Sequence, residues 1–290
     1  MEPEMPRHVG VVGGGRMGSG IAHAFLVCGS SMTLIEADAA RVAAARDGVM
    51  HAIRGSVARG RAVEDEETIA ARLTVVTDVA GLAGCGLVIE AVPEIGELKH
   101  SVLQAISAAV KPSAIIASNT SSMSISELAG FVTSPERFLG LHFFNPVPAS
   151  QLVEVVVGRE TLPATVDRAR RIVEVLGKTA VTINDSPGFA SSRLGVLLGL
   201  EAIRMVEEGV ATPEDIDAAM VLGYKHPIGP LKLTDLVGLD VRLGIADYLA
   251  SRLGDRFAPP RLLRDKVARG ELGRKTGHGF YDWSAGDGPA

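Results

Sequence analysis

Read from its N-terminus, the chain alternates short apolar runs with longer amphipathic stretches. Arg7 to Val12 is a β-branched run that closes on glycines, and an apolar run bounded by glycine predicts a strand buried on both faces. Ile21 to Val27 predicts a helix, with Gly29 placed to end it. Ser31 to Ile35 predicts a second strand, and the Ala- and Arg-rich segment from Ala39 to about Arg59 a second helix. Further strands are expected at Leu73–Val76, Leu87–Glu90, Ile115–Ser118, Phe138–Phe143, Leu152–Val157 and Ala180–Ile183. Helical patterns lie between many of them, notably Lys99–Val110 and Pro163–Leu176. Strands alternating with helices indicate βαβ units and a mostly parallel sheet.

After Asp185-Ser186-Pro187-Gly188 the pattern becomes helix after helix: Arg193–Glu208, Pro213–Leu222, Leu233–Arg252 and Leu262–Arg269. A Pro-Gly pair is a boundary signal. The expectation is an α/β domain over residues 1–185 and an all-helical domain over 186–290.

Composition narrows the function classes. A length of 290 residues suits two domains. Twenty-nine Lys and Arg against 34 Asp and Glu give a net charge of −5 with no basic run, which argues against nucleic acid as the main ligand. An apolar content of 47% is too high for a disordered chain. Two cysteines, Cys28 and Cys85, cannot make a disulfide framework, a zinc site or a CxxC pair, so no metal is expected. No run of 18 apolar residues suggests a membrane span, and the acidic start Met1-Glu2-Pro3-Glu4 is unlike a signal peptide; the expected compartment is the cytoplasm.

Three constellations carry chemistry. Gly13-Gly14-Gly15-Arg16-Met17-Gly18 reads GxGxxG after a strand and at the opening of a helix. In that setting Gly13 makes a tight turn, Gly15 lets backbone approach a pyrophosphate and Gly18 lets helix pack on strand. The helix start, with Arg16 and Met17, offers N–H donors to phosphate. Glu36 ends the second strand, 36 − 18 = 18 residues after Gly18, where an acidic side chain meets ribose hydroxyls and repels a 2′-phosphate, favouring NAD over NADP. The plainer reading, a structural turn, has to be weighed in a chain with 33 glycines.

The second constellation sets His142 among Leu141, Phe143 and Phe144, with Glu154 interrupting the apolar run Leu152–Val157. A carboxylate there needs a partner, and the imidazole is the nearest by sequence. Held by a carboxylate at one ring nitrogen, a histidine can exchange a proton at the other; a purely structural His–Glu pair is the alternative. The third is Ala117-Ser118-Asn119-Thr120-Ser121-Ser122, directly after Ile115-Ile116, a cluster of small hydroxyls where α/β folds bind ligands. Ser124 with Glu127 is a capping-box pattern. Glu94, just past the strand Leu87–Glu90, either faces the cofactor or is solvated.

With these pieces in order, the blocks VIEAVPE, ASNTSS, LHFFNPVP, LVEVVVG, DSPGFA, EDID and PIGP and the closing stretch Gly273–Tyr281 resemble the L-3-hydroxyacyl-CoA dehydrogenase family, particularly its short 3-hydroxybutyryl-CoA members, over nearly the whole chain. The resemblance implies a Rossmann-type NAD-binding domain, an all-helical C-terminal domain that forms a homodimer, and a substrate cleft between the domains. It implies His142 as the base, Glu154 as its orienting partner and Ser121 as the hydrogen-bond partner of the substrate oxygen. Glu94, Lys99, Asn145 and Lys275 match positions that contact the dinucleotide.

Three departures bear on substrate. Ser192 stands where the family carries a substrate-contacting Asn, keeping a donor and acceptor on a shorter side chain. The helical region in which the family carries a Ser and a Lys for CoA reads Ile53-Arg54-Gly55-Ser56-Val57-Ala58-Arg59-Gly60-Arg61 here; its arginines are suited to the CoA phosphates, and a solvated helix end is the alternative. Lys232 replaces an acidic residue. The expected substrate is an acyl thioester of CoA. The alternatives are a hydroxyacyl group such as glyceryl on acyl carrier protein, a free hydroxy acid of the gulonate type, and a non-enzymatic structural role of the kind a lens relative fills. The retained His142, Glu154 and Ser121 count against the last.

Overall fold

In the computed structural model, which describes residues 5–284, the first apolar run is strand β1 (His8–Val12) of an eight-stranded sheet. The others are β2 (Ser31–Ile35), β3 (Leu73–Val76), β4 (Leu87–Glu90), β5 (Ile115–Ser118), β6 (Phe138–Phe143), β7 (Leu152–Val157) and β8 (Thr179–Asn184). Their order is β3-β2-β1-β4-β5-β6-β7-β8, and every neighbouring pair is parallel except β6 and β7. That exception follows from the short connection from Phe144 to Gln151, because a parallel return needs a crossover of about a dozen residues or more. Strand order reverses at β1, which lies between β2 and β4. Beyond the carboxyl ends at such a switch point, α/β sheets bind ligands.

The helices of this part are α1 (Arg16–Val27), α2 (Ala39–Ala58), α3 (Glu66–Ala70), α4 (Gly96–Ala109), α5 (Ile125–Leu128) and α6 (Pro163–Val175). Val9 and Val11 of β1 are buried with Ile21, Phe25 and Leu26 of α1, and Val49 and Ile53 of α2 join the same core. α1 begins five residues before the expected Ile21 (21 − 16 = 5). Its first five residues, Arg16 to Gly20, include two glycines and no apolar stripe, so periodicity starts late. α3 and α5 are too short for a helical period to register in the sequence.

The chain divides into two compact units between Ser186 and Pro187. The second contains α7 (Ser191–Glu207), α8 (Pro213–Ala218) with a π-helical turn at Ala219–Gly223, α9 (Pro230–Val237), α10 (Leu239–Leu253) and α11 (Arg261–Ala268). Val196, Leu200, Ile203, Ile216, Leu231, Leu249 and Leu263 form its core. The single helix expected over Leu233–Arg252 is two helices, broken at Gly238, whose φ of 106° is a glycine conformation.

Two buried carboxylates stitch this unit. Asp217 accepts from the Leu231 and Lys232 amides and the Tyr281 hydroxyl, and Asp235 from the Phe280 and Tyr281 amides and the Trp283 indole. Lys232 lies 5.6 Å from the Trp283 ring centroid, a cation–π contact that accounts for a cation at this position. Among the described residues, no helix is long and apolar enough to cross a membrane.

Candidate active site

The glycine loop follows β1 directly, and each fixed glycine answers to a steric fact. Gly13 has φ of 96°, and a Cβ on it would meet the Ala91 carbonyl oxygen at 2.8 Å. A Cβ on Gly18 would lie 1.7 Å from the Gly13 oxygen, so helix and loop can close only over glycine. Gly15 differs: it caps α1, and the space where its Cβ would stand is open. The first helical bond runs from the Ser19 amide to the Gly15 carbonyl at 2.9 Å, so the amides of Arg16, Met17 and Gly18 precede the ladder. Open space before orphan amides at a helix N-terminus fits a dinucleotide's pyrophosphate.

Glu36, immediately after β2, faces this loop. Its Oε1 accepts from the Gly14 amide at 2.6 Å and its Oε2 from the Ala37 amide at 3.0 Å. The carboxylate therefore braces the loop and keeps acceptor capacity for a ribose.

His142 and Glu154 are direct partners across the β6–β7 ladder, so their side chains share a sheet face. His142 Nδ1 lies 2.7 Å from Glu154 Oε2, with the residues 6% and 1% exposed. An ionised carboxylate only accepts, so Nδ1 carries the shared proton and Nε2 is the nitrogen that can take another. The Phe144 ring tilts against the imidazole at 4.3 Å. Asn119 accepts from the Phe143 amide at 2.9 Å and so ties the end of β5 to the strand bearing His142.

Ser121 belongs to a network centred on Glu94. The Glu94 carboxylate accepts from the Thr120 hydroxyl at 2.9 Å, the Ser121 amide at 2.7 Å and the Ser121 hydroxyl at 3.2 Å. Beneath it lies a buried ion pair. Lys99 Nζ donates to Glu90 Oε1 at 2.7 Å and to the Val92 carbonyl at 3.1 Å, and stands 3.4 Å from Glu94 Oε2. Glu90 also accepts from the Ser118 hydroxyl at 2.5 Å. Lys99 was expected at the dinucleotide. It is 1% exposed, and its ammonium protons go to groups of the chain itself, so here it orders Glu94 and the β4 end.

Other expected residues are more dispersed. Asn145 is exposed in the loop after β6, a loop that Lys178 ties down through the Val147 and Ser150 carbonyls. Lys275 and Ser192 belong to the second unit. Lys275 Nζ pairs with Asp240 at 2.5 Å, and Ser192 lies in the first turn of α7. Arg54 lies 3.6 Å from Glu66 in an exposed pair on α2 and α3. Ser124 caps α5, accepting from the Glu127 amide while donating to Asp185.

Glu90 is not among the residues the sequence singles out, although it anchors Lys99 and Ser118 beneath the site. A charged residue closing the otherwise apolar strand Leu87–Glu90 was the available signal, of the same kind that drew attention to Glu154.

Comparison with known proteins agrees with this geometry. The family model for the 3-hydroxyacyl-CoA dehydrogenase NAD binding domain matches residues 8–186, and that for the family's C-terminal domain residues 188–283. The chain is 43% identical to a 3-hydroxybutyryl-CoA dehydrogenase of Mycobacterium tuberculosis, covering 96% of this chain and 98% of that one. It is 40% identical to a probable 3-hydroxybutyryl-CoA dehydrogenase of Deinococcus radiodurans, over 94% and 99% of the two chains. The crystal structure of (S)-3-hydroxybutyryl-CoA dehydrogenase from Ralstonia eutropha superposes with a TM-score of 0.91 at 40% identity, covering 96% of this chain and 99% of that one. Matched through both of its domains, the chain belongs to the 3-hydroxyacyl-CoA dehydrogenase family.

Proposed function

We propose that the protein interconverts 3-hydroxyacyl and 3-oxoacyl thioesters of CoA with NAD, the 3-hydroxybutyryl-CoA/acetoacetyl-CoA pair being its default substrate. The observation that carries this reading is the buried His142–Glu154 pair, set on the same sheet as a glycine loop suited to a dinucleotide. Gly13, Gly15 and Gly18, the amides of Arg16 and Met17, and Glu36 would hold the adenosine and pyrophosphate end; Glu94, Asn145 and Lys275 would serve the nicotinamide end. Bound NAD supplies the acceptor for the hydride that leaves C3.

The chain's own residues manage the proton. His142 Nε2 takes it from the 3-hydroxyl, and Glu154 offsets the imidazolium charge that results while fixing the ring's orientation. The Ser121 hydroxyl, which donates to Glu94 in the structure, turns to donate to the substrate oxygen. Ser192 contacts the acyl group near the reacting carbon. Reduction runs the same steps in reverse, with His142 returning its proton to the C3 oxygen. The reading also expects a cytoplasmic homodimer.

NADH oxidation with acetoacetyl-CoA, beside carrier-protein-bound 3-oxoacyl and free-acid substrates, tests the proposal. Turnover of acetoacetyl-CoA is expected. Silence with CoA thioesters alongside turnover of a carrier-bound group would overturn the CoA assignment, and the cluster Arg54, Arg59 and Arg61 would then be the place to seek the carrier.

A further inference from the structure

The loop that carries Asn145 is held from two sides. Between β6 and β7 the chain runs from Phe144 to Gln151 and makes a single turn, in which the Ala149 and Ser150 amides both donate to the Pro146 carbonyl at 3.0 and 2.9 Å. A turn that does not continue as a helix leaves its last carbonyls without amide partners, and a lysine can supply the missing donors. Lys178 Nζ donates to the Val147 carbonyl at 2.6 Å and to the Ser150 carbonyl at 2.5 Å. The lysine's own backbone is fixed. α6 closes on Gly177, whose φ of 70° is a glycine conformation. The Gly177 and Lys178 amides turn back to the Glu174 and Val173 carbonyls at 2.9 and 3.1 Å, the Schellman arrangement for ending a helix. At the next residue the Thr179 amide donates to the Gln151 carbonyl at 2.6 Å, as β8 begins beside β7. Lys178 thus works from a rigid joint.

The other side of the loop rests on α1. Val147 is 2% exposed, and a Cβ on Gly20 would lie 3.0 Å from its Cβ and Cγ2, so the valine seats where α1 carries no side chain. Gly20 stands one turn, about 6 Å, along α1 from Arg16 at the helix start suited to pyrophosphate. The chain from Val147 back to the exposed Asn145 reaches at most about 7 Å. The loop therefore joins the dinucleotide helix to the end of the strand bearing His142. We propose that Lys178 is a positioning residue for the cofactor: by holding the Val147 and Ser150 carbonyls, it presents Asn145 to the nicotinamide end of NAD. Hydrogen bonds from an ionised donor are the stronger ones. A pair of them on one short loop orders it before the cofactor arrives, so that cost is not left to binding. The inference rests on the reading above in which NAD binds with Asn145 at its nicotinamide end.

Calorimetric titration with NADH, and with ADP-ribose as a ligand that has no nicotinamide, tests the proposal. The proteins compared are the wild type, Lys178→Met, Lys178→Arg, Asn145→Ala and the double variant of Lys178→Met with Asn145→Ala. Lys178→Met should raise the Kd for NADH roughly 5- to 20-fold, the scale of losing hydrogen bonds to a charged group. Its Kd for ADP-ribose should stay within about 2-fold of the wild type, since the adenosine and pyrophosphate end does not depend on the loop. Lys178→Arg should recover a large part of the NADH affinity. In the Asn145→Ala background, Lys178→Met should add less than about 2-fold, because the two residues act as one unit. Equal weakening of both ligands would give Lys178 to the fold of the unit as a whole and overturn the proposal. Unaltered NADH binding, or full additivity in the double variant, would overturn it too. Should Lys178→Met fail to fold, Lys178→Gln, which keeps an amide donor, takes its place under the same criteria. NADH binding unaffected by Asn145→Ala would refute the nicotinamide contact and the proposal with it. A wild type that binds neither ligand would instead refute the dinucleotide reading on which both rest.

Discussion

A carboxylate on the covered face of a sheet must find a partner, and Glu154 finds one directly across the ladder in His142. Glu154→Gln keeps the shape and removes the charge, so the imidazole loses its orienting anion while Nε2 remains. We expect kcat to fall about 10- to 100-fold, less than on loss of the base itself; stopped-flow or steady-state NADH oxidation measures it, and an undiminished rate would make the pair structural only. His23 is a different kind of histidine. Its Nε2 lies 2.8 Å from the Ser56 hydroxyl, and burial, reinforced by Arg59 and Lys178, lowers its pKa from 6.5 to about 4. Between those values the unfolded chain binds a proton at this residue that the folded chain does not. Its contribution is therefore complete above pH 6.5 and lost as pH falls towards 4, on the order of 3 kcal/mol in all. Urea unfolding of wild type and His23→Gln at pH 7 and pH 4.5 should show the variant losing less stability across that interval. Residue roles were legible where a charged side chain broke an apolar run, as at Glu154. The destination of Lys99 was not, because sequence spacing does not say whether a side chain points outward or into its own protein.

At the scale of elements, the ends of β4 and β5 form one polar unit with the start of α4. Lys99 on α4 neutralises Glu90 at the end of β4, and Ser118 at the end of β5 completes the shell around that carboxylate. Lys99→Met would strand a fully buried carboxylate, and we expect a loss of about 3–5 kcal/mol in folding stability. The double variant Glu90→Gln with Lys99→Met removes both charges and should recover a large part of it, a coupling that denaturant melts read through a double-mutant cycle. Strands were legible in the sequence nearly residue by residue, since each is a short apolar run bounded by polar or glycine residues. Helix boundaries were less so. α1 opens on glycines needed for close packing, and α9 and α10 share an uninterrupted amphipathic pattern whose break at Gly238 is a backbone event that side-chain periodicity does not register.

At the scale of the molecule, the alternation of strands and helices followed by helices alone was plain from the hydrophobic pattern, and the structure divides between Ser186 and Pro187. The bracing of the glycine loop by Glu36 was not legible, since that contact joins the ends of two strands brought together by the sheet. The central claim is that a buried histidine on a dinucleotide-binding sheet does the proton chemistry of a 3-hydroxyacyl thioester dehydrogenase. The measurement that tests it most directly is kcat for acetoacetyl-CoA reduction by His142→Gln, taken together with NADH binding by fluorescence. The account predicts a fall on the order of 10²- to 10⁴-fold with NADH binding largely retained; turnover by the variant at the wild-type rate would contradict it.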